Sequence, residues 1–499
     1  MNAAKPSAEG SELFNSATYW LQMLRERRIG AVELLELHLA QIDKHNEALN
    51  LVVSRDLEGA LQAARAADNS APSERSLLHG LPMTVKDTYE ATGMPATAGF
   101  SFLAEHRPQH DAEAVANLKA AGAVIFGKTN VPPGAFDWQS FNEVYGVSNN
   151  PWNPQRTPGG SSGGSAGAVA AGFSPLELGS DVGGSIRVPA HFCGVYGHKP
   201  SYGVVPGRGH IPPLPGQLIS YDLGVFGPLA RSAYDLELAL DVLASPGERD
   251  RLAWSVTIPP SRHERLTDFR VALWTDDTYA VDSDYLAAID GFVEDLRRCG
   301  VTAEVARPKL DPAESYEIYL DILLAMAGVG LPEPAQQSIF ATAAELPTES
   351  DNYVARLARV LKKRRVEYFA IGQQQELLRQ AWHEFFTRYD LVLAPVSPTV
   401  AYEHDHRGID RSDPVSAGQT RTMTVSGEHR PYFDGLQWPS LALVGNLPAT
   451  AIPTGKFVDG LPAGVQLIGP YLEDRTVLRF AQLVERELGG AAVPPACLS

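Results

Sequence analysis

Cysteine is scarce in this chain. Its 499 residues hold three, Cys193, Cys299 and Cys497, far apart and odd in number. That excludes a disulfide framework and leaves no CxxC pair for a metal knuckle, so a reducing cytosol fits best. Long apolar runs are missing too. No stretch of about 18 apolar residues occurs, so nothing is expected to span a membrane. The N-terminus, MNAAKPSAEGSELFNSATYW, has no apolar core of a secretory signal. Positive charge is in deficit, with 42 Lys and Arg against 59 Asp and Glu and a net charge of −17. That balance repels phosphate backbones and excludes nucleic acid as a general partner. Repeats and low-complexity segments are absent as well. What remains is 44% hydrophobic and 20% charged, the composition of an ordinary globular protein. The expectation is a soluble cytoplasmic protein.

Length alone suggests about three domains. No linker rich in Pro, Gly or charge separates two cores, however, so a single large α/β domain is expected. Residues 16–27, 31–45 and 60–67 read as helices, with Val32, Leu35, Leu39 and Ile42 forming an amphipathic stripe. Residues 81–85 and 123–126 read as short buried strands on either side of a helix at 111–121, for which Gly122 is the natural C′ residue. Further strands are expected at 269–273, 303–305, 391–395, 447–453 and 464–468, the last two around the turn Asp459-Gly460. Helices are expected at 234–243 and 285–298, and over most of 312–386. Residues 128–152 are turn-rich, and long loops of that kind are more often functional than idle.

The stretch over 157–190 holds two Gly/Ser clusters, Gly159-Gly160-Ser161-Ser162-Gly163-Gly164 and Gly179-Ser180-Asp181-Val182-Gly183-Gly184-Ser185, with an Ala-rich helical run between them. Glycine at this density describes either a flexible linker or backbone brought close to a ligand. Flanking apolar residues favour the second, with amides between the glycines forming an anion-binding nest. A serine beside such a nest is a candidate nucleophile with its own oxyanion hole. It needs a base. None of the thirteen histidines can be assigned to that role, and His191, six residues after Ser185, reads as structural. Lys86, at the end of the apolar strand LPMTV, either sits in a pocket where desolvation lowers its basicity or simply reaches solvent. The G-x-S-x-G match around Ser165 has no strand leading into it and is a product of the Gly/Ser composition.

GLPMTVKD, GKTNVPPGAF, GGSSGGSAGAVAAG…LELGSDVGGSIRVPAHFCGVYGHKP and NLPATAIPTG…GLPAGVQLIGP together resemble the amidase signature family. The resemblance covers about half of the chain. Lys86, Ser161 and Ser185 follow one another at gaps of 75 and 24 residues, close to the family's spacing. It implies an α/β/α sandwich with a large mixed, twisted sheet of about 11 strands, an N-terminal helical segment (1–80) packed on a core (81–499), and a variable substrate-pocket region near 310–432. It also implies a Ser–cis-Ser–Lys triad. Ser185 would be the acyl-accepting nucleophile, Ser161 the proton relay behind a cis peptide bond, and Lys86 the general base. The amides of Val182, Gly183, Gly184 and Ser185 would form the oxyanion hole. Gly134 and Ala135 would line the substrate site, and Ser162 would either support the lysine or merely satisfy its turn.

The implied activity is cofactor-free hydrolysis of a carboxylic amide, an anilide, ester or carbamate being open to the same acyl-enzyme chemistry. The alternative is the glutamine-hydrolysing subunit of a tRNA-dependent amidotransferase. That role asks for a charged clamp in 311–388, which the sequence does not display. The partner is otherwise a small-molecule amide, with no nucleic acid and no membrane, and the chain a monomer or homodimer. No metal is expected: His404 and His406 lie in a polar loop (400–431) without a third ligand, a loop better suited to covering the pocket. Trp138, Phe141 and the 312–386 helices are expected to shape the acyl pocket. Asp181 and Arg187 are expected to form a structural ion pair, and Cys193 to be a core residue.

Overall fold

The computed structural model describes residues 12–71, 76–219, 221–329, 331, 333–347, 350, 352–406 and 421–498. Eleven strands assemble into one sheet: β1 (Val52–Arg55), β2 (Pro82–Lys86), β3 (Val124–Thr129), β4 (Leu176–Asp181), β5 (Tyr196–Lys199), β6 (Val225–Ala230), β7 (Arg270–Leu273), β8 (Thr302–Val305), β9 (Leu391–Pro395), β10 (Ala449–Val458) and β11 (Leu461–Ile468). Across the sheet they run β1-β3-β2-β4-β6-β5-β10-β11-β9-β7-β8. The sheet is mixed. β2 pairs parallel with β3 and β4, whereas β4 pairs antiparallel with β6. Strands β2, β3, β4 and β11 are buried from end to end; β11 accordingly reads as near-continuous apolar text, whereas β2, β3 and β4 carry buried polar residues at their carboxyl ends. β10 and β11 form a hairpin around Asp459 (φ 50°) and Gly460 (φ 77°), the paired positive φ values that a two-residue loop demands.

Helices flank this sheet. They are α1 (Ala17–Arg25), α2 (Ala31–Leu49), α3 (Leu57–Asn69), α4 (Glu113–Ala120), α5 (Gly163–Ala170), α6 (Arg187–Cys193), α7 (Ala233–Leu243), α8 (Ser283–Arg298), α9 (Pro312–Gly328), α10 (Glu333–Ala344), α11 (Tyr353–Leu361), α12 (Arg365–Phe385), α13 (Gln437–Val444) and α14 (Asp474–Leu488). Their starts follow from local chemistry. Asp56 accepts the Gly59 amide at 2.9 Å to open α3. Gly30, which has no side chain to cap α2, leaves that task to Asp68 on α3, whose carboxylate takes the Ala31 and Val32 amides at 2.6 and 3.2 Å. The architecture is the expected α/β/α arrangement.

Two expectations need correction. The N-terminal segment is not only helical, because it supplies the edge strand β1, which pairs antiparallel with β3. Residues 225–230, for which no strand is expected, form a central strand, β6. Gly227 is what fits it there: a Cβ would sit 2.2 Å from the His198 carbonyl oxygen. The polar loop also contains a small hairpin, Thr422–Val425 paired with Glu428–Pro431, while 407–420 lie outside the described residues.

Helices α9–α11 stand on the sheet as a cap with their own small apolar cluster, including Leu324, Ile339, Val354, Leu357 and Val360. Tyr319 of α9 reaches the Val182 carbonyl at 3.0 Å, just beyond the carboxyl end of β4 and next to the point where the sheet turns from parallel to antiparallel pairing. Open α/β sheets bind ligands at such ends.

Candidate active site

Lys86 is the last residue of β2, walled in by β3 on one side and β4 on the other, and it is fully buried. Its Nζ has two hydroxyl partners, Ser161 Oγ at 2.7 Å and Ser180 Oγ at 2.9 Å. Among the described residues no carboxylate touches it. Burial pushes the amine down to about 7, against the pull of Asp181 and Glu177. Of the two fates open to this lysine, solvent is therefore the wrong one. A second buried lysine, Lys128 on β3, makes the contrast: it faces the Asp87 carboxylate at 3.6 Å and donates to the Tyr89 carbonyl. Lys128 faces a carboxylate, and Lys86 is an amine among hydroxyls.

Ser161 is delivered by the loop before α5, and the Gly160–Ser161 peptide bond is cis. Gly160 has to be glycine, since a Cβ would meet the Asp137 carbonyl oxygen at 2.5 Å and Trp138 backbone at 2.8 Å. Gly164, in the first turn of α5, is pressed as closely on Asn130, whose amide nitrogen would lie 2.3 Å from a Cβ. Ser165 lies inside α5, buried and hydrogen-bonded to Thr129 at 2.9 Å, so its G-x-S-x-G surroundings have no part in the site.

Ser185 sits in the turn between β4 and α6. Asp181 organises that turn: its carboxylate accepts the Gly184 amide at 2.8 Å, the Ile186 amide at 3.2 Å and two guanidinium nitrogens of Arg187 at 3.0 and 3.1 Å. Burial alone would raise the acid's pKa, but Arg187 and these hydrogen bonds outweigh it and hold it low. Arg187 is tied further to the Pro439 carbonyl and to Gln466, so the pair is structural. Two carbonyls of the turn are fastened as well, that of Gly183 by Trp138 Nε1 and that of Val182 by the Tyr319 hydroxyl, each at 3.0 Å.

Among the described residues, the amides of Val182, Gly183 and Ser185 donate to no protein acceptor. Gly184 differs from the expected set of four because its N–H is already given to Asp181. The Ser162 amide donates to the Ser185 carbonyl at 3.1 Å, linking the two serine loops. The Ser162 hydroxyl, however, bonds the backbone of Ser180 and reaches neither Lys86 nor the cavity. It belongs to the turn.

A cavity of about 680 Å³ opens onto Ser161, Ser180, Val182 and Ser185. Gly134 and Ala135 are among the residues that line it, with φ of 62° and 61°. Its walls come from Phe100, Phe136, the segment 202–226, and α9 and α11 through Leu323, Met326, Tyr353 and Leu357. Trp138 and Phe141 do not line it. Trp138 is spent on Gly183, and Phe141 packs on the ring of His406 at 4.3 Å. The described ends of the 400–431 loop are fastened to residues 137–139, where Gln139 donates to the Asp405 carbonyl and Arg421 pairs with Asp137. His404 and His406 lie with their rings 5.5 Å apart, and no group of three metal-ligating side chains occurs among the described residues.

Sequence reasoning passed over two residues of the floor. Ser180 was visible inside the second Gly/Ser cluster but had no assigned role. His210 had no signal at all, because only the folded 202–226 segment brings it beside Ser180, at 2.9 Å.

A family model described as Amidase matches residues 33–478. The chain is 32% identical over 509 residues to the A-subunit of the glutamyl-tRNA(Gln) amidotransferase of Chloroflexus aurantiacus, covering 92% of this chain and 93% of that one. It is also 32% identical over 477 residues to an indoleacetamide hydrolase of Bradyrhizobium diazoefficiens, covering 93% and 85%. Among solved structures it superposes on one described as an amidase with a TM-score of 0.76, at 28% identity, over 95% of this chain and all of the other.

Proposed function

This chain belongs to the amidase family, the amidase signature enzymes, and from that premise we propose that it hydrolyses a carboxylic amide through Lys86, Ser161 and Ser185. The observation that carries the proposal is the buried Lys86 amine, 2.7 Å from the Ser161 hydroxyl at the floor of a cavity that Ser185 also lines. Neutral Lys86 takes the Ser161 proton as Ser161 takes that of Ser185, and Ser185 Oγ attacks the amide carbonyl. The developing oxyanion is met by the amides of Val182, Gly183 and Ser185, each such donor contributing about 2.7–4 kcal/mol in transition-state stabilisation. Collapse of the tetrahedral adduct breaks the C–N bond, and the amine leaves with the proton that Lys86 returns through Ser161. Water then attacks the acyl-Ser185 ester with the same base, releasing the acid and restoring the serine. No cofactor takes part in this scheme.

The chemistry of the walls favours an uncharged, apolar acyl group. Every residue that α9–α11 contribute to the cavity is uncharged, and the guanidiniums on its outer wall have carboxylates of their own, Arg208 with Glu113 and Arg249 with Asp250. A second reading draws more support from the relatives: several proteins similar to this chain at 31–33% identity are A-subunits of glutamyl-tRNA(Gln) amidotransferases. In that reading the same floor hydrolyses glutamine within a complex of subunits.

One panel separates the two. Purified protein is offered an aryl anilide, an aliphatic amide, glutamine and a p-nitrophenyl ester, alone and with the other subunits of an amidotransferase. Cleavage of apolar amides by the isolated chain supports the first reading. Glutaminase activity that appears only with partner subunits supports the second. Full activity in Ser185→Ala would overturn both.

A further inference from the structure

The floor contains a polar chain longer than a triad. Lys86 Nζ lies 2.9 Å from Ser180 Oγ, Ser180 Oγ lies 2.9 Å from His210 Nε2, and His210 Nδ1 lies 2.9 Å from the carbonyl oxygen of Pro212. The far end fixes the near one. A carbonyl can only accept, so His210 Nδ1 must carry a hydrogen. The ring is enclosed by Tyr89 and Phe226, at 5.1 and 5.0 Å between centroids. The charged groups acting on it are the lysines Lys86 and Lys128, the second matched by Asp87. Burial first, and then Lys86, push the imidazole down to about 3, so it is neutral at any working pH. A neutral imidazole with hydrogen on Nδ1 has a bare Nε2, which can only accept. The Ser180 hydroxyl therefore donates to His210 and has only lone pairs left for Lys86.

We propose that His210 is a positioning residue for the reaction, acting through Ser180 to fix the rotation of the Lys86 amine. A neutral lysine has two N–H bonds and one lone pair. With one N–H committed to Ser180, the lone pair is kept off Ser180 and left free to face Ser161, the direction from which the proton must arrive. Without His210, the Ser180 hydroxyl can rotate and donate to Lys86, covering the lone pair the base needs. The inference rests on the reading of Lys86 as general base and adds to it a device that keeps the base correctly aimed.

The experiment uses the full chain and a short-chain p-nitrophenyl ester, too small to depend on the cavity walls. It compares wild type with His210→Phe, His210→Gln, Ser180→Ala, the Ser180→Ala/His210→Phe double variant and Lys86→Ala. General-base orientation is expected to be worth roughly 10- to 100-fold in kcat, a part of the roughly 100- to 10,000-fold that acid–base catalysis supplies as a whole, with KM nearly unchanged in His210→Phe. The acidic limb of the pH profile is expected to move to lower pH, because a freed Ser180 hydroxyl can donate to the neutral amine and favour it. Water admitted by a merely loosened core would do the opposite, raising the lysine's pKa and moving the limb up. His210→Gln, whose carbonyl oxygen can accept from Ser180, is expected to recover most of kcat. In the Ser180→Ala background His210→Phe is expected to cost nothing further.

A wild-type kcat and acidic limb in His210→Phe, an upward shift of that limb, or additive losses in the double variant would each overturn the positioning role. If Lys86→Ala is inactive while His210→Phe is unimpaired, only this inference falls. If Lys86→Ala is fully active, the assignment of the base falls and the positioning role falls with it.

Discussion

The floor and the walls of the cavity are built by opposite rules. The floor is polar and pinned. Lys86 ends β2 and Ser180 is the last residue but one of β4, both strands being buried throughout, and the Ser185 turn is held by Asp181, Arg187, Trp138 and Tyr319. The walls are apolar and borrowed from loops and cap helices, with Phe136 and Tyr221 beside Leu323 and Met326. The difference teaches where each property of such an enzyme resides. In the proposed scheme reaction type is fixed by groups held in place by hydrogen bonds from the sheet and the elements packed on it, and substrate choice by side chains that mostly fill space.

The sharpest break in that comparison is at the floor. Ser185→Ala and Lys86→Ala should each lose at least about a thousandfold in kcat toward any substrate, as removal of a member of a coupled catalytic set does. Steady-state assay with the apolar amide checks this, and near wild-type turnover in either variant would put the chemistry elsewhere. Next comes the brace beneath the floor. Asp181→Asn leaves Arg187 buried without its charge partner, a loss on the order of 3–5 kcal/mol in stability. Denaturant unfolding measures it, and an unchanged midpoint would show that the pair does not hold the turn.

A smaller effect tests the electrostatics of the floor alone. Because burial lowers Lys86 to about 7, the base is protonated and idle below that pH and free above it. The value of kcat/KM should therefore rise with pH through about 7 and level off above it. A profile still climbing steeply through pH 9–10, near the ordinary lysine value of about 10.4, would contradict a desolvated base. The smallest effect belongs to the walls: Leu323→Ala should raise KM for an apolar amide by roughly tenfold, the scale of one or two methylenes in a pocket. It should leave kcat for the short ester unchanged, and an equal change in both would dissolve the distinction between floor and wall.

The same division decided how much of the molecule was legible in the sequence. The proposed floor could be read as a candidate because the proposed chemistry requires particular residues in a particular order, and the apolar strands β2 and β11 announce themselves by composition, whereas β4, LELGSD and half polar, does not. Strand β6 could not, since Gly227 and Pro228 interrupt its pattern. The reason for glycine there, contact with the backbone of His198, exists only once β5 lies alongside. Ser162 and Ser180 were indistinguishable as letters. Which hydroxyl meets the lysine depends on which way β4 turns its side chains. The aromatic residues Trp138 and Phe141 misled for a related reason: an aromatic that anchors a loop carbonyl looks the same in sequence as one that greets a ligand.

The two glycines pressed against neighbouring backbone, Gly160 on Asp137 and Gly164 on Asn130, have a further effect. They weld the serine loop to the segment that runs on to Gly134 and Ala135, leaving no slack between the reacting centre and that bank of the cavity. A variant library aimed at new acyl groups will therefore find one bank frozen and the other negotiable. Substitutions between 128 and 138 should mostly register as lost turnover, and those between 202 and 226 or in the cap as altered preference. The enzyme is, in effect, adjustable from one side only.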